Sequence, residues 1–156
     1  MEPRTRSFIA FLFFLAISFS ASALGALFPP GEWYAGLNKP SWNPPNWLFG
    51  PVWTALYLMI ATAGWRIWQK FRSEAKLELT FWGLQMVLNA LWSWLFFGLQ
   101  RPGLAFGEIL ALWLAIAATI VLFWRRDRAA GLLMVPYLLW VSFASLLNFT
   151  LWQMNP

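Results

Sequence analysis

The stretch Leu104-Ala-Phe-Gly-Glu-Ile-Leu-Ala-Leu-Trp-Leu-Ala-Ile-Ala-Ala-Thr-Ile-Val-Leu-Phe-Trp124 runs for 21 residues with one charged side chain, Glu108. Arg125, Arg126 and Arg128 follow at once. As a helix rising about 1.5 Å per residue, it spans roughly 30 Å, the thickness of a bilayer's hydrocarbon core. It lacks the two-residue alternation of a barrel strand, so it reads as a membrane-crossing helix. Four more stretches of similar length and character lie upstream and downstream: Ser7–Phe28, Trp47–Gln69, Leu77–Leu99 and Ala129–Trp152. The expected fold is therefore an all-α integral membrane protein, one domain over residues 1–156 with a bundle of five transmembrane helices. Composition agrees: 60% of residues are hydrophobic and 11% charged, against about 45–50% and 25% in soluble domains. A soluble chain of this size has too little interior to hide so much apolar surface.

Charge sets the expected orientation. With five crossings, the N-terminus shares a side with the second and fourth connections. That side carries Arg4, Arg6, Arg66, Lys70, Arg72, Lys76, Arg125, Arg126 and Arg128; the other has only Lys39 and Arg101. Positive residues concentrate on the cytoplasmic side of membrane proteins. The N-terminus is thus expected on the cytoplasmic side of an inner membrane, with the first loop (29–46) outside. A competing pattern is present at the start of the chain. Arg4 and Arg6, the apolar run Phe8–Ile17 and the sequence Ala21-Ser22-Ala23 resemble a cleavable signal peptide. The apolar run continues through Leu24–Phe28, which favours a full span. Ser18, Ala21, Ser22 and Gly25 serve equally as small residues for close helix approach. The connection Gln100–Gly103 is so short that the third and fourth spans should be antiparallel neighbours.

The chain has no cysteine and no histidine. Disulfides, ordinary zinc and iron–sulfur sites, histidine acid–base catalysis and axial haem ligation by His or thiolate are excluded. No cofactor and no metal is expected, and no nucleophile–base pair or phosphate loop is visible. The net charge of +5 does not point to nucleic acid, because the basic residues sit between spans as topology requires.

Thirteen tryptophans are the compositional signature. Trp47, Trp68, Trp82, Trp124 and Trp152 fall near span ends, where interfacial belts form. Trp53, Trp92, Trp113 and Trp140 fall deeper, either packed between helices or lining a pocket. Helical spacing puts Trp53 with Tyr57 on one face of the second span. Gln85, Asn89 and Trp92 make a stripe on the third, and Trp140, Ala144 and Asn148 one on the fifth. Side-chain amides facing lipid are costly, so Gln85, Asn89 and Asn148 should point inward. They act there either as interhelical hydrogen bonds or as the polar groups of a mainly apolar cavity. Glu108 sits about one turn inside the fourth span, where it reaches the polar surface, satisfies the helix N-terminus or serves proton coupling.

The first loop is rich in aromatic residues and proline. Trp33-Tyr34-Ala35-Gly36-Leu37, then Lys39-Pro40-Ser41-Trp42-Asn43-Pro44-Pro45-Asn46-Trp47, resembles the first loop of the translocator protein family (TspO/MBR, the peripheral benzodiazepine receptor family). The likeness continues through Phe49-Gly50-Pro51-Val52-Trp53-Thr54-Ala55-Leu56-Tyr57, through Gln85, Asn89, Trp92 and Phe96-Phe97-Gly98, and through Pro136–Asn148. The resemblance implies a five-helix bundle, a homodimer, and a cavity closed by the first loop that takes porphyrins such as protoporphyrin IX and other hydrophobic ligands. It implies cavity-lining roles for Pro44, Trp53, Tyr57, Asn89, Trp92, Trp140, Ala144 and Leu147; the stripe adds Gln85 as a group that orients a ligand's polar edge. Some family members occupy outer membranes. Three activities fit the resemblance: a receptor or carrier for tetrapyrrole intermediates, light-dependent porphyrin breakdown with Trp53 and Trp140 as redox-active side chains, or proton-coupled export using Glu108. The tail Leu147-Asn148-Phe149-Thr150-Leu151-Trp152-Gln153 departs from the animal cholesterol motif. Phe149 stands where that motif has Tyr and no basic residue follows, so sterol transport is not carried over; the departure and the charge bias fit a bacterial member.

Overall fold

A computed structural model of the protein describes residues 3–156. The elements are α1 (Pro3–Ala26), a short loop helix α2 (Gly31–Gly36), α3 (Asn46–Phe71), α4 (Lys76–Ser93), α5 (Pro102–Arg126) and α6 (Arg128–Met154). A 3-10 turn (Arg72–Ala75) joins α3 to α4, and a π-helical turn (Trp94–Gly98) extends α4. The run from Asn46 to Gly98 is helical over 53 residues, which as one straight rod would measure roughly 80 Å. It is instead a hairpin: Tyr57 on α3 hydrogen-bonds Asn89 on α4, and three residues on, Ile60 receives a bond from Trp82. Numbers rising on α3 while falling on α4 define an antiparallel pair. The reversal occurs at Arg72, whose φ of 48° breaks the helix, with its guanidinium lying 4.1 Å from the centre of the Trp68 ring. The bundle therefore makes five crossings, by α1, α3, α4, α5 and α6.

Around the bundle each helix packs on the next in the order α1, α3, α6, α5, α4, and α4 closes the ring against α1. The short Gln100–Arg101 link does make α4 and α5 neighbours. Small residues let the interior close: Ala61, Ala63 and Ala130 are fully buried in one cluster with Ile60, Ile67, Ile116 and Met134, and Ala105 in a second with Phe96 and Leu151. Large apolar side chains such as Phe8, Phe13, Val87, Leu114 and Leu139 project outward. In water such a surface would drive aggregation; in lipid it is the ordinary exterior.

Trp82 differs from the belt position expected of it. It is buried, its indole N–H donates to the Ile60 carbonyl at 2.9 Å, and its ring packs against Phe14 at 5.0 Å. Its proximity to the span end was misleading because Gly64, opposite it on α3, leaves room for an indole. A Cβ at Gly64 would sit 2.8 Å from the Trp82 ring and 2.9 Å from Phe14.

At the basic end, Asp127 separates α5 from α6. Its carboxylate lies 3.0 Å from both Arg66 Nε and Lys70 Nζ on α3, and accepts the Ala129 amide as the N-cap of α6. Alongside, Arg126 on α5 donates to Glu78 on α4 at 2.8 Å. Burial by itself would raise the Asp127 carboxyl, but the Arg66 and Lys70 partners outweigh it and hold it below the usual carboxylate range.

Two outcomes follow. Gly64→Ala should destabilise the detergent-solubilised protein by about 1–3 kcal/mol through overpacking. Trp82→Phe should recover part of that loss in the double variant, measured by thermal unfolding; additive losses would remove the steric cause. For Asp127, a folded-state value lowered below the unfolded one means its contribution is present above about pH 4 and is lost as pH falls through the folded value. Asp127→Asn should therefore cost about 2 kcal/mol at neutral pH and show no difference from the parent at pH values below both. An unchanged gap across that range would contradict the assignment.

Candidate functional site

Two amides organise the interior toward the loop end. Asn89 accepts from the Tyr57 hydroxyl through Oδ1 and donates to the Tyr137 hydroxyl through Nδ2, both at 2.9 Å. This chain ties α3, α4 and α6 together, and among the described residues Asn89 keeps one N–H and one lone pair for another partner. Nearer the loop end, Asn148 accepts the Trp92 indole N–H at 2.9 Å and donates to the Pro102 carbonyl at 2.8 Å, tying α6 to α4 and to the start of α5. Both pairs join elements through uncharged groups, as apolar surroundings demand.

Between these two layers the helices leave a cavity of about 480 Å³, within the usual 300–1,000 Å³ range of small-molecule sites. All five crossing helices and the first loop contribute to its wall. Trp53, Tyr57, Asn89, Trp92, Trp140, Ala144 and Leu147 all face it. Trp53 stacks on Tyr57 with ring centres 5.3 Å apart and meets Tyr137 edge-on at 6.2 Å. Trp92 stacks on Phe96 at 5.0 Å, and Trp140 meets Phe49 edge-on at 5.9 Å. Rings braced against rings hold flat surfaces in fixed orientations.

Two of the sequence-derived candidates stand apart. Gln85 is fully buried but does not reach the wall. Its Nε2 donates to the Trp82 carbonyl one turn back, while Oε1 has no partner among the described residues. Spacing put it on the Asn89 face, but it lies a turn deeper, behind the Tyr57–Asn89 layer. Pro44 is in the loop and also off the wall, its carbonyl accepting from Asn43. Phe28, Pro30 and Tyr34 are the residues that bring the loop region to the cavity.

The sequence reading passed over several wall residues. Phe96 and Phe97 both reach the cavity, although neighbours on a regular α-helix diverge by about 100°. The wide π-helical turn Trp94–Gly98 brings them to one side, and such turns have no composition signal. Tyr137, the far end of the Asn89 chain, is off the wall, backing Trp53 edge-on, and carried no pattern of its own. Among the deep tryptophans, Trp113 lies outside the site, donating to Ser142 at 2.8 Å. Glu108 is also off the wall; both carboxyl oxygens are buried with no partner among the described residues, so it does not reach the polar surface.

A second concavity, about 810 Å³, lies on the outer surface between α1 and α4. It is almost wholly apolar, with Arg6 at one end. Without convergent polar groups it lacks the means to orient a ligand.

The likeness to known proteins is extensive. Residues 9–153 match the model of the TspO/MBR family. The chain is 46% identical to "Protein CrtK" of Rhodobacter capsulatus over 138 residues, covering 87% of this chain and 86% of that protein. It is 45% identical to "Tryptophan-rich protein TspO" of Chlorobaculum tepidum over 150 residues, 91% and 90% of the two chains. The human "Translocator protein" is 38% identical over 138 residues, covering 85% and 82%. A match running through all five crossings, at these identities, leaves one conclusion: the chain belongs to the TspO/MBR family.

Proposed function

We propose that this protein is a membrane receptor or carrier that binds porphyrins, tetrapyrrole intermediates such as protoporphyrin IX, and other flat hydrophobic ligands, and so serves in their regulation or removal. The observation that carries this reading is the set of three indoles, Trp53, Trp92 and Trp140, facing one cavity of about 480 Å³ that also offers the Asn89 amide. Apolar burial and stacking supply affinity, and amides with spare hydrogen-bonding capacity orient polar edges. The chain has no histidine or cysteine to ligate iron, so a metal-free porphyrin suffices. A light-driven breakdown of the bound porphyrin is the second reading, favoured by Trp53 and Trp140 bordering the same space. In this reading the protein is a homodimer in the bacterial inner membrane, with the N-terminus in the cytoplasm. The charge distribution supports the orientation and the family resemblance supports the dimer.

Titration of the detergent-solubilised protein with protoporphyrin IX should quench tryptophan fluorescence saturably. Trp53→Phe and Trp140→Phe should each weaken binding roughly threefold to tenfold through lost stacking, and Asn89→Ala by a similar factor. Haem should bind no more tightly than the metal-free ring. Non-saturating quenching that ignores all three substitutions would mean partition into the micelle and would sink the reading. For orientation, the native chain has no cysteine, so single-cysteine variants report cleanly. Ser41→Cys in the first loop should react with an impermeant maleimide in intact cells, and Ser73→Cys at the basic end only after permeabilisation. The opposite pattern would invert the topology.

A further inference from the structure

The first loop covers one end of the cavity, and its attachments to the helices are unequal. Its first half is anchored by rings: Tyr34 is buried, 5.6 Å from Phe97 and 6.3 Å from Phe96, and Trp33 lies 5.7 Å from Phe96. Lys39 fastens the loop to itself, donating to the Tyr34, Ala35 and Leu37 carbonyls at the end of α2. The second half, from Asn38 to Pro45, has one edge-on contact, Trp42 to Phe143 at 5.9 Å, and one hydrogen-bonded attachment. The Asn38 amide donates to Asn155 Oδ1 at 2.9 Å, and Asn155 Nδ2 donates back to the Asn38 carbonyl at 3.0 Å. Among the described residues, the only other hydrogen bond from the loop to a membrane helix is local, the Leu48 amide donating to the Pro45 carbonyl where the chain enters α3.

We infer that Asn155 is the latch that holds the loop shut over the cavity and sets the rate at which ligand enters and leaves. The residue is built for this. Leu151 is on the cavity wall, and Asn155 is the next position on that face of α6, one turn beyond. Its Nδ2 also donates to the Leu151 carbonyl at 2.9 Å, which caps α6 and fixes the amide pointing at the loop. An amide side chain carries a donor and an acceptor side by side, so it mimics the edge of a neighbouring strand and pairs with both backbone groups of one residue. The partner is the Asn38 backbone, 117 positions away, and not the Asn38 side chain. The inference rests on the cavity reading above but concerns access, so it stands or falls separately from the identity of the ligand.

The distinction between backbone and side chain gives the test. Ala144 faces the cavity, and Ala144→Cys would be the only thiol in the chain. Its reaction with a small water-soluble thiol reagent then reports opening without any ligand. The two hydrogen bonds are exposed, and losing such a pair should shift opening roughly tenfold. In the Ala144→Cys background, Asn155→Ala should therefore accelerate labelling about tenfold, whereas Asn38→Ala, which keeps its backbone groups, should change it less than twofold. Asn155→Asp, which keeps the acceptor and loses the donors, should fall between and also serves if Asn155→Ala does not fold. Without the Ala144 substitution, Asn155→Ala should speed protoporphyrin IX association and dissociation alike. Equal acceleration by the Asn38 and Asn155 substitutions, or indifference to both, would overturn the latch. If labelling is gated as described while protoporphyrin IX fails to bind saturably, the latch stands and the porphyrin reading falls.

Discussion

Asn89 is the group on which the interior depends. In a bundle surrounded by lipid there is no hydrophobic drive to press helix against helix, so packing and internal hydrogen bonds must hold them. Asn89 meets that demand by accepting from Tyr57 and donating to Tyr137, which locks α4 to α3 and α6. Both hydroxyls would otherwise be buried without partners, each at a cost of about 1–3 kcal/mol. With them satisfied, the layer forms a polar floor on which the aromatic wall can stand.

Everything on the loop side of that floor follows from bracing. Trp53 lies on Tyr57, whose hydroxyl Asn89 holds, and Trp92 is held at its indole nitrogen by Asn148. Each large ring thus has its rotation set by a hydrogen bond or by a second ring. On the opposite side of the floor the same chain uses a different device. There α3 and the junction of α5 with α6 meet at the ion pairs of Asp127, and α5 meets α4 through Arg126 and Glu78, where water and lipid headgroups lower the cost of charge. Uncharged amides within the apolar depth and charges at its margin follow one rule: a polar group costs least where its partners are already assembled.

Much of this was legible in the sequence. Five spans follow from length and apolarity, and their ends lie within a few residues of the helices observed. The stripes containing Trp53, Asn89, Trp92 and Trp140 were readable because a helix repeats on known spacings, and all four meet at the cavity. Spacing fixes the face of a helix but not the depth, which is why Gln85 shared the Asn89 stripe yet lies behind the floor. Position along a span does not reveal what stands opposite, so Trp82 carries the pattern of a belt residue although Gly64 accommodates it in the interior. The π-helical turn behind Phe96 and Phe97, and the pairing of Asn155 with a backbone 117 positions distant, have no local signature. Both arise from tertiary fit.

The cavity itself is the last thing to account for, because protein interiors normally close to crystal-like density and an internal gap forfeits dispersion contacts around its whole lining. Leucines and isoleucines lining such a gap would change rotamer and helices would shift inward to shrink it. Here that collapse is opposed from several directions. Trp53 is backed by Tyr57 and Tyr137, Trp92 by Phe96 and Asn148, and Trp140 by Phe49 and Phe143. Indoles have few torsions and no smaller shape to adopt. The high tryptophan content therefore acts on the empty space as much as on anything that fills it: it keeps five helices apart at one level while amides hold them together at the next.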